Sequence, residues 1–241
     1  MDGLFINGLE IDTDKLSPES YVRDIPAISG LHELRFTRPV TFFAGENGSG
    51  KSTLLEALAV AAGFNPEGGT KNYSFSTRDS HSELCGALRL IRSWRRPGWG
   101  YFLRAESFYN VATQEELYAR EGHLPSEGLH ERSHGESFLM VAQNHLRPES
   151  LYLLDEPEAA LSPQRQLTLL LDIYACAREG SQFFIVTHSP ILLGLPGAEI
   201  LSFDGGRVQP IAYEDTDSFL VTKMFIDRRE QVLRELLGGS I

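Results

Sequence analysis

Cysteine is nearly absent: only Cys85 and Cys176 occur in 241 residues, far apart and without C-x-x-C spacing. That excludes a disulfide framework and a cysteine-built zinc site, and leaves two free thiols. Positive charge is also scarce. Lys and Arg number 22 against 33 Asp and Glu, a net charge of −11. A protein that coats nucleic acid through a bulk electropositive field is thereby excluded, although a local basic patch that meets DNA is left open. No apolar run approaches the roughly 20 residues that cross a bilayer, and the N-terminus carries Asp2 rather than a basic leader. Sustained heptads are missing, so no coiled-coil arm is expected, and there is no internal repeat or low-complexity tract. The expectation is a soluble, reduced, cytoplasmic protein without membrane insertion.

What is present is enough apolar content, 41%, for one substantial core, and a single domain over residues 1–241 is expected. The chain is organised around Gly45-Glu46-Asn47-Gly48-Ser49-Gly50-Lys51-Ser52, which reads G-x-x-x-x-G-K-S. Val40–Ala44 before it has strand composition. Thr53 opens a run with apolar residues at helical spacing after it. Strand, glycine-rich loop and helix together make a phosphate nest: the glycines let backbone N–H groups turn inward, and the helix N-terminus adds partial positive charge. Lys51 is then placed to reach the terminal phosphates, and Ser52 to ligate Mg²⁺. A plain glycine turn before a helix is the bland reading, and the strand-loop-helix context argues against it.

Upstream, residues 4–11 read as a strand with a bend at Asn7-Gly8, and Leu31–Phe36 as a second strand; both are expected at the edge of an α/β sheet. Gly63–His81 reads as loop. Leu84–Trp94 and Tyr101–Leu103 read as a hairpin around Arg95-Arg96-Pro97-Gly98. Arg89, Arg92, Arg95, Arg96 and Arg104 make this the most basic region, read as a solvated strand face in preference to a DNA surface. Residues Glu106–Arg132 read as helix and loop.

Leu151–Leu154 is a continuous apolar run ending in Asp155-Glu156-Pro157, the pattern of a buried parallel strand that delivers two carboxylates at its C-terminal end. Asp155 suits a Mg²⁺ ligand, and Glu156 a base that polarises an attacking water. Gln182–Val186 is a second such strand, leading to His188. Between them Ser162 caps a helix begun by Pro163, with Leu167, Leu170, Leu171 and Tyr174 expected on its buried face and Gly180 closing it. Strand, helix, strand makes a right-handed parallel crossover. Ile200–Phe203 and Arg207–Ile211 flank Asp204-Gly205-Gly206 as a second hairpin, and Thr216–Leu237 reads as helix.

Ser133-His134-Gly135-Glu136-Ser137 precedes a helix-like run shortly before the Leu-Leu-Asp-Glu strand. In that order, after the phosphate loop and before Asp155-Glu156 and His188, it resembles the signature motif of ABC-type ATPases. The resemblance covers nearly the whole chain. It places Gly45–Ser52 as Walker A, Leu151–Glu156 as Walker B, Glu158–Ser162 as the D-loop and His188 as the switch histidine. It is closer to the SMC-like and double-strand-break repair branch, and to small bacterial ATPases with a bare head, than to transporter subunits. The sequence departs from the family in three places. Ala105-Glu106 stands where the Gln-loop glutamine is expected, Ser162 replaces the D-loop aspartate, and the arms are missing.

The resemblance implies an α/β P-loop NTPase fold. A mostly parallel central sheet is flanked by helices, with an antiparallel β subdomain and a helical signature region at about 106–147. It further implies ATP and Mg²⁺ as cofactors, and Gly45, Glu46, Asn47, Gly48, Ser49, Gly50, Lys51, Ser52 and Thr53 as nucleotide contacts. Ser133 and Gly135 of a second copy would cap the γ-phosphate in an ATP-dependent homodimer, with an unidentified protein as the driven partner. The alternatives are a nucleotide-binding subunit of an ABC transporter and an ATP-switched binding module with little turnover.

Overall fold

Side chains that alternate between two apolar environments build the centre of the molecule. Along the strands Phe43, Phe184, Leu151 and Leu153 enter one buried cluster, while their neighbours Phe42, Phe183, Tyr152 and Leu154 enter another. That period of two is the pleat of a sheet covered on both faces. The computed structural model describes residues 3–70, 82–104, 145–159 and 161–238.

In chain order the described elements are β1 (Ile6–Ile11), α1 (Pro26–Ser29), β2 (Glu33–Arg35), β3 (Val40–Ala44), α2 (Lys51–Ala62), β4 (Gly69–Thr70) and α3 (Leu84–Ala87). They continue with β5 (Leu88–Arg92), β6 (Trp99–Arg104), β7 (Ser150–Asp155), α4 (Pro163–Arg178), β8 (Gln182–Val186) and α5 (Pro190–Leu193). The last are β9 (Glu199–Ser202), β10 (Gln209–Pro210), α6 (Asp217–Asp227) and α7 (Arg229–Leu236). Among them, β10-β9-β3-β8-β7-β6-β4 form one sheet, and β2-β1-β5 form a second, antiparallel one. Strands β9, β3, β8, β7 and β6 run parallel, so their C-terminal ends share one rim. An open parallel sheet presents its ligand site on that rim.

Helix α2 and the antiparallel sheet cover one face of the central sheet, and α4 with α5 covers the other. The buried Gln182 side chain joins the two sheets. Its Oε1 accepts from Phe5 N and Ile6 N, both at 2.9 Å, and its Nε2 donates to Ile6 O at 2.8 Å. An amide in a core is tolerated when both ends are satisfied in this way.

Three expectations need correction. Strands β1 and β2 are not edges of the central sheet; with β5 they make the separate antiparallel sheet. The bend at Gly8 is real and coincides with a register irregularity between Ile6 and Gly8. Strands β5 and β6 are not a hairpin either. β5 pairs with β1, β6 pairs in parallel with β7, and the Arg95–Gly98 turn carries the chain between sheets. Two short apolar runs around a turn are ambiguous because pairing in space is decided by burial: Tyr101, Phe102 and Leu103 are almost wholly buried, whereas β5 has a half-exposed face.

The buried face of α4 is the third. Leu169, Ile173 and Cys176 face the sheet, while Leu167, Leu171 and Tyr174 are exposed. The helix carries apolar residues most of the way round, so spacing alone fits either face. Smaller differences lie in the loops and at the C-terminus. β4 falls inside the stretch read as loop, and the C-terminal helix breaks at Arg228, with φ −132° and ψ 33°, into α6 and α7. The Ser162 cap is as expected, with its side chain accepting from Arg165 N at 3.4 Å and Pro163 at the start of the helix.

Candidate nucleotide site

The loop Gly45–Gly50 leaves the C-terminal end of β3 and turns directly into α2. Gly45, Gly48 and Gly50 have φ of 137°, 79° and 99°, a region side chains rarely adopt. At Gly50 a Cβ would also stand 2.7 Å from Ile25 Cγ2 and 2.9 Å from Ile28 Cδ1, so α1 and the residue before it are packed against the loop. Gly50 offers no side-chain cap to α2, and the first-turn N–H groups of an α-helix have no intrahelical partner. A helix N-terminus of this kind is suited to an anion. Lys51 lies almost wholly buried beneath the loop, its Nζ donating to Gly45 O at 2.8 Å and Glu46 O at 2.6 Å. Burial lowers its pKa, and the carboxylates of Glu156, Asp204, Asp155 and Glu46 oppose that shift.

Strand β7, separated from β3 by β8, brings a carboxylate to the loop. Ser52 Oγ donates to Asp155 Oδ1 at 2.9 Å, which brings the first turn of α2 to the end of β7. A hydroxyl and a carboxylate held at hydrogen-bond distance make an all-oxygen donor pair, the set a Mg²⁺ ion takes together with phosphates and waters. The next residue, Glu156, has φ 48°, uncommon for a residue with a side chain. Its N–H donates to Val186 O at 2.9 Å, so the ladder still holds it while the side chain leaves the strand and stays 43% exposed. His188, just beyond β8, places Nε2 3.8 Å from Glu156 Oε1. That Nε2 has no hydrogen-bond partner among the described residues. His188 N donates to Glu158 Oε1 at 2.6 Å, which ties the segment after β7 to the histidine.

A model of the "AAA domain" family matches residues 22–88, and one described as "AAA domain, putative AbiEii toxin, Type IV TA system" matches residues 136–194. Among solved structures, an SMC head bound to the C-winged-helix domain of ScpA superposes with a TM-score of 0.52 at 13% identity, covering 86% of this chain and 98% of that one. The chain has the fold of an SMC head domain. The SMC head of Thermotoga maritima matches at a TM-score of 0.46 and 14% identity, over 87% of this chain and 100% of its own. The ATP-binding cassette MJ1267 of an ABC transporter gives 0.46 and 18%, over 95% and 98%. No curated protein matches the chain.

In this fold the residues singled out from the sequence converge where they are described. Gly45, Glu46, Asn47, Gly48, Ser49, Gly50, Lys51, Ser52 and Thr53 form the loop and the first turn of α2, and Asp155, Glu156 and His188 stand on adjacent strand ends. Ser133 and Gly135 lie outside the described residues, as does Glu106. The arginines of the basic region are engaged within the head. Arg89 pairs with Glu10, Arg92 donates to Ala61 O at 2.7 Å, and Arg95 bonds Gly3 O and meets Glu149 at 3.3 Å. Arg104 meets Glu56 at 2.8 Å on the inner side of α2.

Sequence reasoning passed over two residues. Glu158 reads as D-loop sequence but holds the His188 backbone, and Asp204 reads as turn sequence but holds the phosphate loop, its Oδ1 accepting from Glu46 N at 2.9 Å. The available signal was an acid two or three residues past the C-terminal end of a strand.

Proposed function

We propose that this ATPase head binds Mg-ATP at Gly45–Thr53, hydrolyses it, and in doing so drives or switches a protein partner. The observation that carries the reading is the Ser52–Asp155 hydrogen bond, which joins the phosphate loop to a carboxylate strand end with Glu156 and His188 alongside. The nest of loop amides and the α2 N-terminus hold the phosphates, and Lys51 reaches the terminal one. Ser52 and Asp155 would hold a Mg²⁺ ion, which would supply charge neutralisation. Glu156 takes a proton from the attacking water, a role that contributes about 10²–10⁴-fold. His188 steadies the water and the γ-phosphate, and its proximity to Glu156 suits a shared water between them.

Two copies clasp two nucleotides head to tail in this reading, with Ser133 and Gly135 of each capping the γ-phosphate bound by the other. Association is then ATP-dependent, because the nucleotide binds the dimer better than the monomer. The process served belongs to DNA maintenance, defence or regulation, and comparing turnover with and without duplex DNA separates a DNA-linked head from the rest.

Calorimetry of the purified chain with Mg-ATP is the primary test. Saturable binding that Lys51→Ala abolishes is expected. An absence of heat with the wild-type chain would remove the proposal.

A further inference from the structure

The peptide joining Gly45 to Glu46 is gripped on both edges. Its carbonyl accepts from Lys51 Nζ at 2.8 Å, and its N–H donates to Asp204 Oδ1 at 2.9 Å. Asp204 is itself fixed, since its Oδ2 accepts from Ser202 Oγ at 3.1 Å and its own N–H donates to the same hydroxyl at 3.1 Å. The fit is close: a Cβ on Gly45 would lie 2.8 Å from Asp204 Oδ1. Asp204 sits just past the end of β9, beside β3, on the rim that carries the phosphate loop. It lines a cavity of about 90 Å³ with Glu46, His188 and Thr216 among its walls.

We infer that Asp204 is a positioning residue for nucleotide binding: by holding the Glu46 N–H it fixes the plane of the Gly45–Glu46 peptide, and so the Gly45 carbonyl, one of the two on which Lys51 rests. A glycine peptide with free φ and ψ would otherwise rotate, and rotation would take away an acceptor that sets the ammonium beneath the phosphates. The alternative, that Asp204 acts on ATP through charge alone, predicts the opposite sign. A carboxylate near a polyanion repels it, so neutralising the residue would tighten binding. The inference rests on the nucleotide reading proposed above.

The test compares wild type, Asp204→Ala, Asp204→Asn and Ser202→Ala as full chains. Mg-ATP affinity is read by calorimetry, and the Glu46 amide by nuclear magnetic resonance without nucleotide. Asp204→Ala should weaken Mg-ATP by about 10–100-fold, the value of one hydrogen bond to a charged group. Its Glu46 amide proton should move upfield and exchange faster. Asparagine still offers an oxygen to Glu46 N and an amide to Ser202 Oγ, so Asp204→Asn should bind within about 3-fold of wild type. Ser202→Ala loosens Asp204 without removing it and should weaken binding by about 3-fold, and it carries the test if Asp204→Ala does not fold.

Wild-type affinity in Asp204→Ala, tighter binding in Asp204→Asn, or equal weakening in both would overturn the role. If Asp204→Ala does not fold, wild-type affinity in Ser202→Ala would do so. A wild-type chain that binds no Mg-ATP removes the nucleotide reading itself, whatever the Glu46 amide does.

Discussion

The Ser52 hydroxyl donates a 2.9 Å hydrogen bond to Asp155 Oδ1 across 103 residues of sequence. Each residue has its own local signature in the sequence, and the parallel pairing of β7 with β8, and of β8 with β3, is what brings them together. Removing the carboxylate charge should therefore uncouple metal from nucleotide. Asp155→Asn is expected to lose the Mg²⁺ enhancement of ATP affinity and to lower turnover by about 100-fold or more, while metal-free binding persists. Titrations with and without Mg²⁺ check it; an unchanged metal dependence would move the ion elsewhere.

Glu156 follows the end of β7 with φ 48° and places its carboxylate 3.8 Å from His188 Nε2. Glutamine keeps the shape and removes the base. Glu156→Gln should lower turnover by about 10²–10⁴-fold and accumulate an ATP-bound dimer, seen as a doubled mass in light scattering at saturating Mg-ATP. A variant that remains monomeric there would count against the sandwich.

Lys51 titrates below the ordinary lysine value because it is buried, even with four carboxylates pulling the other way. The charged amine binds phosphate and the neutral amine does not, so ATP affinity should fall as pH rises, beginning below the usual 10.5. Bound phosphates favour the charged form, so alkaline binding should take up protons. Calorimetry in buffers of different ionisation enthalpy measures that uptake, and Lys51→Arg, if it binds, should flatten the profile.

Burial and the neighbouring Glu56 push the Cys85 thiol up to about 11, and burial raises Cys176 as well. Both thiols should react slowly with iodoacetamide at pH 8, since the thiolate is the nucleophile. The linkage has a definite sign. A folded pKa above the unfolded value of 9.0 gives stability that is intact below pH 9 and is lost as pH rises toward 11. Cys85→Ser should soften that alkaline loss, which denaturant melts at pH 8 and pH 10.5 would register.

On α4 the faces can be told apart by truncation. Ile173 is fully buried and Leu171 is 64% exposed. Ile173→Ala should cost about 2–5 kcal/mol, and Leu171→Ala within about 0.5 kcal/mol, by urea unfolding. The reverse order would restore the face expected from spacing.

The phosphate loop, both buried parallel strands and the Ser162-Pro163 helix start were legible because each is encoded locally. Glycine freedom, continuous apolar runs and cap chemistry all act within a few residues. The β5–β6 pairing and the inward face of α4 were not, because identical apolar runs can pair or pack in more than one way until the rest of the core is assembled. Glu158 and Asp204 belong to the same class: a carboxylate in a loop has no visible partner until the rim is built.

By itself the sequence determined that a glycine-rich loop follows a strand and opens a helix, and that two carboxylates and a histidine lie at the ends of two buried strands. Tertiary structure alone decided that Ser52 meets Asp155, that Asp204 holds the Glu46 amide, and that β1, β2 and β5 stand apart as their own sheet. The reason is range: backbone preference and capping are settled within a turn of chain, whereas hydrogen bonds spanning more than 100 residues exist only once parallel strands have chosen their order.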